Sequence, residues 1–354
     1  MRLTVTGASG NVGTALLRLL AADGGHTVTG LVRRPPPEAA PYAGVRWRAV
    51  DLADPASLPD VQDAVEGADA VVHLAWGFQP SHRVDHLARL GVGGTAMVAD
   101  AVRDRAVPHL VHVSSVGAYS PRTHRGQVAE DWPRRGVPGS AYSAHKVAAE
   151  DLLDRLERGP SAPVVTRLRP ALVGQAAAAS GLLRYGAPLL VRSPALRRVP
   201  VLPLPRDLLV PVVHADDVAT ALLAALQRRP DGAFNVGAGE VDAGDVAEAF
   251  GAPTVHVPFA VAKAAVDLSW RAHLQPLDAG WLRLAERVPL LDSTRARDVL
   301  GWRPTRSART VLEEVVTAMA AGDAGTSPPL RPRRAVDDLR RLVREGPVSR
   351  RRFP

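Results

Sequence analysis

Cysteine is absent from all 354 residues. That excludes disulfides and any cysteine-ligated metal, and it suits a reducing compartment. No run of 18 or more apolar residues appears, so the sequence offers no membrane span. The opening Met1-Arg2-Leu3-Thr4-Val5-Thr6 enters a strand pattern at once and leaves no room for a signal peptide, which predicts a cytoplasmic protein. Internal repeats are missing. No second ligand stands at a suitable spacing from His73, so no metal site is expected. Acidic residues are outnumbered, 36 against 44 Lys and Arg, for a formal charge of +8. Most of that excess lies at one end: from Thr326 to Pro354 nine arginines face only Asp337, Asp338 and Glu345. Residues 326–354 read as a solvated, partly helical tail, and the body needs no nucleic-acid partner.

Hydrophobic residues make up 46% of the chain, enough for a sizeable core. Short apolar runs at 3–6, 27–32, 45–50, 70–74, 110–113 and 164–168 alternate with helical patterns at 11–22, 55–65, 84–104 and 141–158. This alternation is the pattern of βαβ units and predicts a doubly wound, parallel α/β sheet of Rossmann type. After Pro170 the character changes. Residues 186–211, rich in proline and arginine, predict an irregular segment over a site. A strand at 233–236, a helix from about 243 and a helix near 311–319 follow.

Thr6-Gly7-Ala8-Ser9-Gly10-Asn11-Val12-Gly13 leaves the first strand and opens the first helix. Gly7 and Gly10 allow a tight turn and close approach of backbone to a pyrophosphate, and Gly13 allows helix and sheet to pack closely. The helix N-terminus then offers N–H groups to the anion, so Gly7, Ser9, Gly10, Asn11, Val12 and Gly13 are the expected cradle. Farther on, Tyr142 and Lys146 stand four residues apart and share a helix face. An ammonium beside a phenol lowers the phenol's pKa and equips it to move a proton near neutral pH. His145 faces away from that pair.

Three glycines spaced by three, a Ser114-Ser115 strand end and Tyr-x-x-x-Lys together resemble the short-chain dehydrogenase/reductase superfamily, and specifically its extended branch, the NAD-dependent epimerase/dehydratase family. The resemblance covers roughly residues 1–320. It implies a single unit over 1–325, with the dinucleotide-binding core mainly in 1–170 and a smaller substrate-binding lobe mainly in 171–325, and a possible homodimer. Ser115 lines up with the family's catalytic Ser/Thr and would bond the substrate oxygen, whereas Ser114 would bond local backbone. Lys146 would lower the pKa of Tyr142 and bond the nicotinamide ribose. Asp51-Leu52 would frame the adenine, Leu74 and Ala75 would follow the ribose, and Pro170 and Val173 would bear on the nicotinamide end. Asp216 would cap a helix, and the Leu300–Pro304 stretch would pack.

At the end of the second strand an NAD enzyme carries Asp or Glu for the ribose 2′-hydroxyl. This chain has Val32 there, followed by Arg33, which favours NADP over NAD. Substrate groups are expected from 76–83, the stretch around 175–206 and the 256–281 region, with Trp76, Phe78 and Ser115 as the named candidates. Arg184, Arg192, Arg197, Arg198 and Arg206 could clamp a diphosphate. Yet Arg206-Asp207 lies ten residues before Asp216, a spacing that puts a sugar-nucleotide substrate in doubt. The implied activity is hydride transfer at a hydroxyl or keto carbon of a small molecule. The alternatives are an epimerase or dehydratase that retains its cofactor, and a non-catalytic NADP-binding regulator.

Overall fold

Runs of Val, Leu, Ala and Thr build a seven-stranded parallel sheet. Its strands are β1 (Arg2–Thr6), β2 (Thr27–Val32), β3 (Arg46–Ala49), β4 (Ala70–His73), β5 (His109–Val113), β6 (Val164–Pro170) and β7 (Gly232–Val236), arranged side by side as β3-β2-β1-β4-β5-β6-β7. The computed structural model describes residues 1–77, 81–186, 196, 199–272, 274–275 and 277–332, with backbone alone for 184–186. The central strands are covered on both faces, so Val5, Val71, Val72, Val111 and Leu168 are fully buried. β3 is an edge strand and carries the polar, solvated pattern that an edge requires, with Arg46 and Arg48 exposed.

Helices α1 (Asn11–Asp23) and α5 (Ala215–Arg228) cover one face of the sheet, burying Leu16, Leu20, Leu222 and Leu226 in one core. Helices α2 (Leu58–Val65), α3 (Gly94–Asp104) and α4 (Ala141–Glu157) cover the other, around Val61, Val98, Val102 and Leu153. From β1 the chain winds outward to β2 and β3, then crosses to β4 and winds the other way. The strand order therefore reverses between β1 and β4. A crevice opens there at the carboxyl ends of the strands, where such sheets bind ligands.

The helix expected over 84–104 is interrupted. Val84–Ala88 is α-helical, Arg89–Gly93 makes a π turn, and α3 follows. The ring of Trp76 explains the adjustment, because it lies 3.0 Å from where a Cβ on Gly91 would stand. A wider turn with no side chain at 91 makes room for the indole.

In the smaller lobe, Leu209–His214 pairs in parallel with Leu172–Gly174 and antiparallel with Glu240–Asp242. Helix Ala308–Ala321 lays Val311 and Val315 on this sheet, against Val212 and Val241. The irregular segment expected over 186–211 is thus partly regular: Leu202–Leu204 forms a ribbon with Thr254–His256, and 209–211 opens the lobe's middle strand. Pro203 sits in a two-stranded ribbon and Pro211 near the start of its strand, where a missing N–H is tolerated.

Asp216 does not cap α5. The His214 ring accepts from the Asp216 N–H instead, while the Asp216 carboxylate pairs with Arg18 at 2.6 Å and Arg306 at 3.3 Å. Asp217 is buried and accepts from Thr305, and Trp302 donates to the Asp217 carbonyl, which ties the Leu300–Pro304 stretch to α5. The first residues read as solvated tail are folded in, since Ser327 and Leu330 are 0% and 4% exposed. Residues 333–354 lie outside the described residues. Among the described residues no helix is long and apolar enough to cross a membrane.

Candidate active site

The glycine turn is built for close approach. Gly7 has φ +66°, and a Cβ there would come within 2.8 Å of the Ala75 backbone at the end of β4. A Cβ on Gly13 would lie 2.5 Å from the carbonyl oxygens of Gly7 and Ala8. The first i→i−4 bond of α1 runs from Thr14 N–H to the Gly10 carbonyl, so the amides of Asn11, Val12 and Gly13 begin the helix without an internal acceptor. Backbone that excludes side chains, beside the positive end of a 13-residue helix, fits the pyrophosphate of a dinucleotide.

A cleft of about 410 Å³ starts at this turn. It takes in Arg33 and Arg34 past β2, then Leu52, Leu74, Ala75 and Trp76, and ends among Ser115, Tyr142, Lys146, Pro170 and Val173. Asp51 is not part of its wall. The Asp51 carboxylate accepts the Ala53 N–H at 3.0 Å, a local turn contact. Phe78, Arg192, Arg197, Arg198 and the side chain of Arg184 lie outside the described residues, and Arg206 does not line the cleft.

The catalytic candidates meet where β5 ends and α4 begins. Ser140 caps α4 by accepting the Ser143 N–H, and the Ser143 hydroxyl donates to the Gly117 carbonyl, so the helix start is fastened to the turn after β5. In that turn Ser115 Oγ accepts the Gly117 N–H at 3.0 Å and hydrogen-bonds the Tyr142 phenol. The Tyr142 ring lies 5.1 Å from Trp281 and 6.3 Å from Trp76, centroid to centroid. Burial pushes the phenol up to about 12, with the Ser115 bond acting in the opposite direction.

Lys146 is 2% exposed, donates to the Val113 carbonyl at 3.0 Å and lies 3.5 Å above the Trp76 ring. Its amine is 6.0 Å from the centre of the Tyr142 ring. Burial lowers the ammonium to about 7, against the attraction of Glu150. The Ser115 hydrogen bond lowers the phenol against its own burial. Lys146 and Lys263 are the two lysines of the chain; every other basic side chain is arginine or histidine. A desolvated lysine can give up its proton near neutrality and an arginine cannot, so the residue type at 146 matches its place.

Two serines at the end of β5 part company. Ser114 does not bond local backbone; its hydroxyl donates to the buried Glu150 carboxylate. Glu150 also receives two bonds from Arg169, at 3.0 and 2.6 Å. Arg169 continues to the Tyr119 hydroxyl, which donates to Asn235 on β7. Burial raises the Glu150 carboxyl, but the bonds and charge of Arg169, with Ser114 and Arg134, outweigh it and hold the group below the ordinary value. Sequence reasoning missed Glu150, although Tyr142, Lys146 and Glu150 recur every four residues along one helix face. His73 holds Thr6 and Thr95 through its two ring nitrogens, and burial drops it to about 3, so it stays neutral.

The remaining wall comes from helix Ala279–Arg287, whose Trp281, Leu284 and Ala285, with Val288 just beyond, follow one another at i, i+3, i+4 and i+7. Trp281 closes the region expected to serve substrate, whereas Leu284, Ala285 and Val288 gave no motif to find. Pro328 and Pro329 also line the cleft, from the stretch read as tail.

Residues 3–237 match the model of the NAD-dependent epimerase/dehydratase family. An uncharacterised Mycobacterium tuberculosis protein is 27% identical over 326 residues, covering 90% of this chain and 30% of that one, so the chain spans about a third of its length. The dTDP-6-deoxy-L-talose 4-dehydrogenase (NAD(P)+) of Kitasatospora kifunensis is 31% identical, covering 90% of this chain and 96% of its own. A Stigmatella aurantiaca ketoreductase, named for 4-hydroxy-2-methyl-3-oxo-4-farnesyl-3,4-dihydroquinoline-1-oxide, is 28% identical with coverages of 92% and 98%. Among solved structures, the UDP-glucose 4-epimerase of Thermotoga maritima superposes with a TM-score of 0.71 at 19% identity, covering 91% of this chain and 99% of that one, a likeness of fold. With the glycine turn, the strand order and the Tyr142–Lys146 face in place, the chain belongs to the NAD-dependent epimerase/dehydratase family.

Proposed function

We propose that this protein is an NADP-dependent oxidoreductase that interconverts a ketone and a secondary alcohol on an apolar substrate. A bound nicotinamide supplies or accepts the hydride. Tyr142 gives the proton to the substrate oxygen in reduction and takes it in oxidation, and Ser115 holds that oxygen within reach of the phenol. Lys146, brought down to about 7 by burial, changes its charge near neutral pH and can shuttle a proton or carry charge beside the phenol as pH requires.

The observation that carries the substrate class is the surface facing Tyr142. Trp76 and Trp281 pack beside its ring, and Leu284, Ala285 and Val288 add hydrocarbon to the wall of the same cleft. Among the described residues, the arginines lining the cleft are Arg33 and Arg34, at the end of β2 and away from the phenol. Polar sugar hydroxyls brought against such a wall lose water without gaining partners, whereas an aryl or prenyl group gains from leaving water. Relatives point both ways: the Stigmatella enzyme is named for a farnesyl-bearing quinoline oxide and the Kitasatospora enzyme for a dTDP-sugar.

The test is NADPH oxidation with aryl and prenyl ketones set against a nucleotide 4-ketosugar. Apolar ketones are turned over, and Trp281→Ala raises their KM by about tenfold to a hundredfold, the effect of losing most of one indole contact. Turnover confined to the nucleotide sugar would falsify the apolar assignment and restore the epimerase or dehydratase alternative.

NADP is favoured because Val32 stands where an NAD enzyme carries a carboxylate and half-buried Arg33 follows at the cleft wall. A guanidinium on a 2′-phosphate makes charge-assisted bonds worth about 1.5–3 kcal/mol, so Arg33→Ala weakens NADP about tenfold to a hundredfold. NAD binding stays within about twofold, because its ribose carries no phosphate there. Titration calorimetry with both nucleotides measures the difference, and equal losses for the two would remove Arg33 from this role.

A further inference from the structure

The dinucleotide cleft has a wall that comes from the far end of the chain. Residues 325–330 form a compact turn in which the Gly325 N–H donates to the Leu330 carbonyl at 2.9 Å and the Leu330 N–H donates to the Ser327 carbonyl at 3.0 Å. The turn needs its glycine, because a Cβ on Gly325 would lie 2.7 Å from the Leu330 Cβ. It is fixed to the lobe by Gly325 N–H to the Ala177 carbonyl at 3.0 Å and by Ser180 N–H to the Asp323 carbonyl at 3.1 Å. At its centre Ser327 is fully buried, and its hydroxyl donates 2.7 Å to the carbonyl of Ser9, inside the glycine turn. The two prolines that follow, Pro328 and Pro329, line the same cleft as Gly7, Gly10 and Asn11.

We propose that residues 325–330 belong to the dinucleotide-binding site as a strap across its pyrophosphate end, and that this strap slows release of the cofactor. Proline brings a rigid, apolar surface with no N–H of its own. Set beside the open amides of α1, it keeps water from the phosphates without competing for their donors. Excluding water strengthens each amide–phosphate contact. The Ser327 bond to Ser9 joins the strap to the turn itself, so the cofactor leaves only when the strap gives way or the turn deforms. A solvated tail explains none of these contacts, since it would leave Ser327 and Leu330 in water.

The experiment measures NADPH dissociation from the full-length protein by stopped-flow fluorescence, with no substrate present. In Ser327→Ala the dissociation rate rises about fivefold, the effect of one neutral hydrogen bond. In Pro328→Gly/Pro329→Gly it rises by a similar factor, and in a chain ended after Gly322 it rises more than tenfold. A chain ended after Pro332 keeps the strap, loses the basic tail and releases NADPH within about twofold of the full chain. Circular dichroism of each apo variant reports folding, and the point variants carry the test should the shorter chain not fold. Unchanged dissociation in the strap variants overturns the proposal. Faster association with unchanged dissociation overturns it too, because the segment would then obstruct the site. An equal rise on removing 333–354 alone would overturn it as well, by assigning the effect to the tail's charge.

Discussion

Replacing Tyr142 with phenylalanine lowers turnover by about a hundredfold to ten-thousandfold, the range for loss of a positioned general acid–base. NADPH binding stays within about threefold. Phe keeps the ring that packs between Trp76 and Trp281 and against Gly117, so the fold has no reason to change. What is lost is the hydroxyl bonded to Ser115. The same geometry sets a pH dependence. Burial holds the phenol near 12, so it stays protonated throughout the ordinary range. Reduction consumes that proton, so the phenol itself imposes no change on it between about pH 6 and 9, and any step in that interval reports Lys146. Oxidation needs the phenolate and rises with pH over the same interval. Steady-state rates in both directions, for the wild type and Tyr142→Phe, check this. A variant that keeps a tenth or more of the activity removes Tyr142 from the chemistry and leaves an NADP-binding regulator as the better account.

The parts legible in the sequence are those whose logic is local. Gly10 and Gly13 announce a turn because each lies within a few residues of the backbone it must clear, whereas Gly7 shows by its place at the strand end, although the backbone it clears is at Leu74 and Ala75. Tyr142 and Lys146 announce a shared face because a helix repeats. Strand and helix alternation yields a parallel sheet through handedness and short connections. What was not legible depends on partners far away along the chain. Ser114 and Ser115 are neighbours of one residue type, yet one hydroxyl goes to Glu150 and the other to Tyr142. Asp51 carries the expected side chain at the expected strand end, and a nearby backbone N–H takes its carboxylate. Ser327 meets Ser9 across nearly the whole chain, and no pattern in the basic tail signals it. Lys146 is found where the motif puts it, but its present bond to the Val113 carbonyl and its seat on Trp76 depend on β5 and the end of β4.

The largest loss of stability is expected from Glu150. Glu150→Ala costs about 3–5 kcal/mol, because it leaves the Arg169 guanidinium buried without its carboxylate. The geometry is severe: Glu150 is 0% and Arg169 4% exposed, and two bonds join them. Arg169→Met costs a similar amount for the converse reason. Removing both costs less than the sum of the single changes, since neither charge is then left alone. The pH dependence has a definite sign. The folded-state carboxyl lies below its unfolded value, so its contribution is complete above about pH 4.5 and is lost as pH falls through the folded value. Activity falls along with stability, because Glu150 joins α4, which bears Tyr142, to Ser114 at the end of β5 and, through Arg169 and Tyr119, to β6 and β7. Glu150→Gln separates the two effects: it keeps the shape and a bond to Ser114 but loses the charge on Arg169. Urea unfolding midpoints for the single and double variants give the coupling, and kcat for Glu150→Gln at a temperature where it is folded gives the positioning effect. A Glu150→Ala loss under about 1 kcal/mol would mean that Arg169 finds another anion or water, and that β5 and α4 are held in register by packing alone.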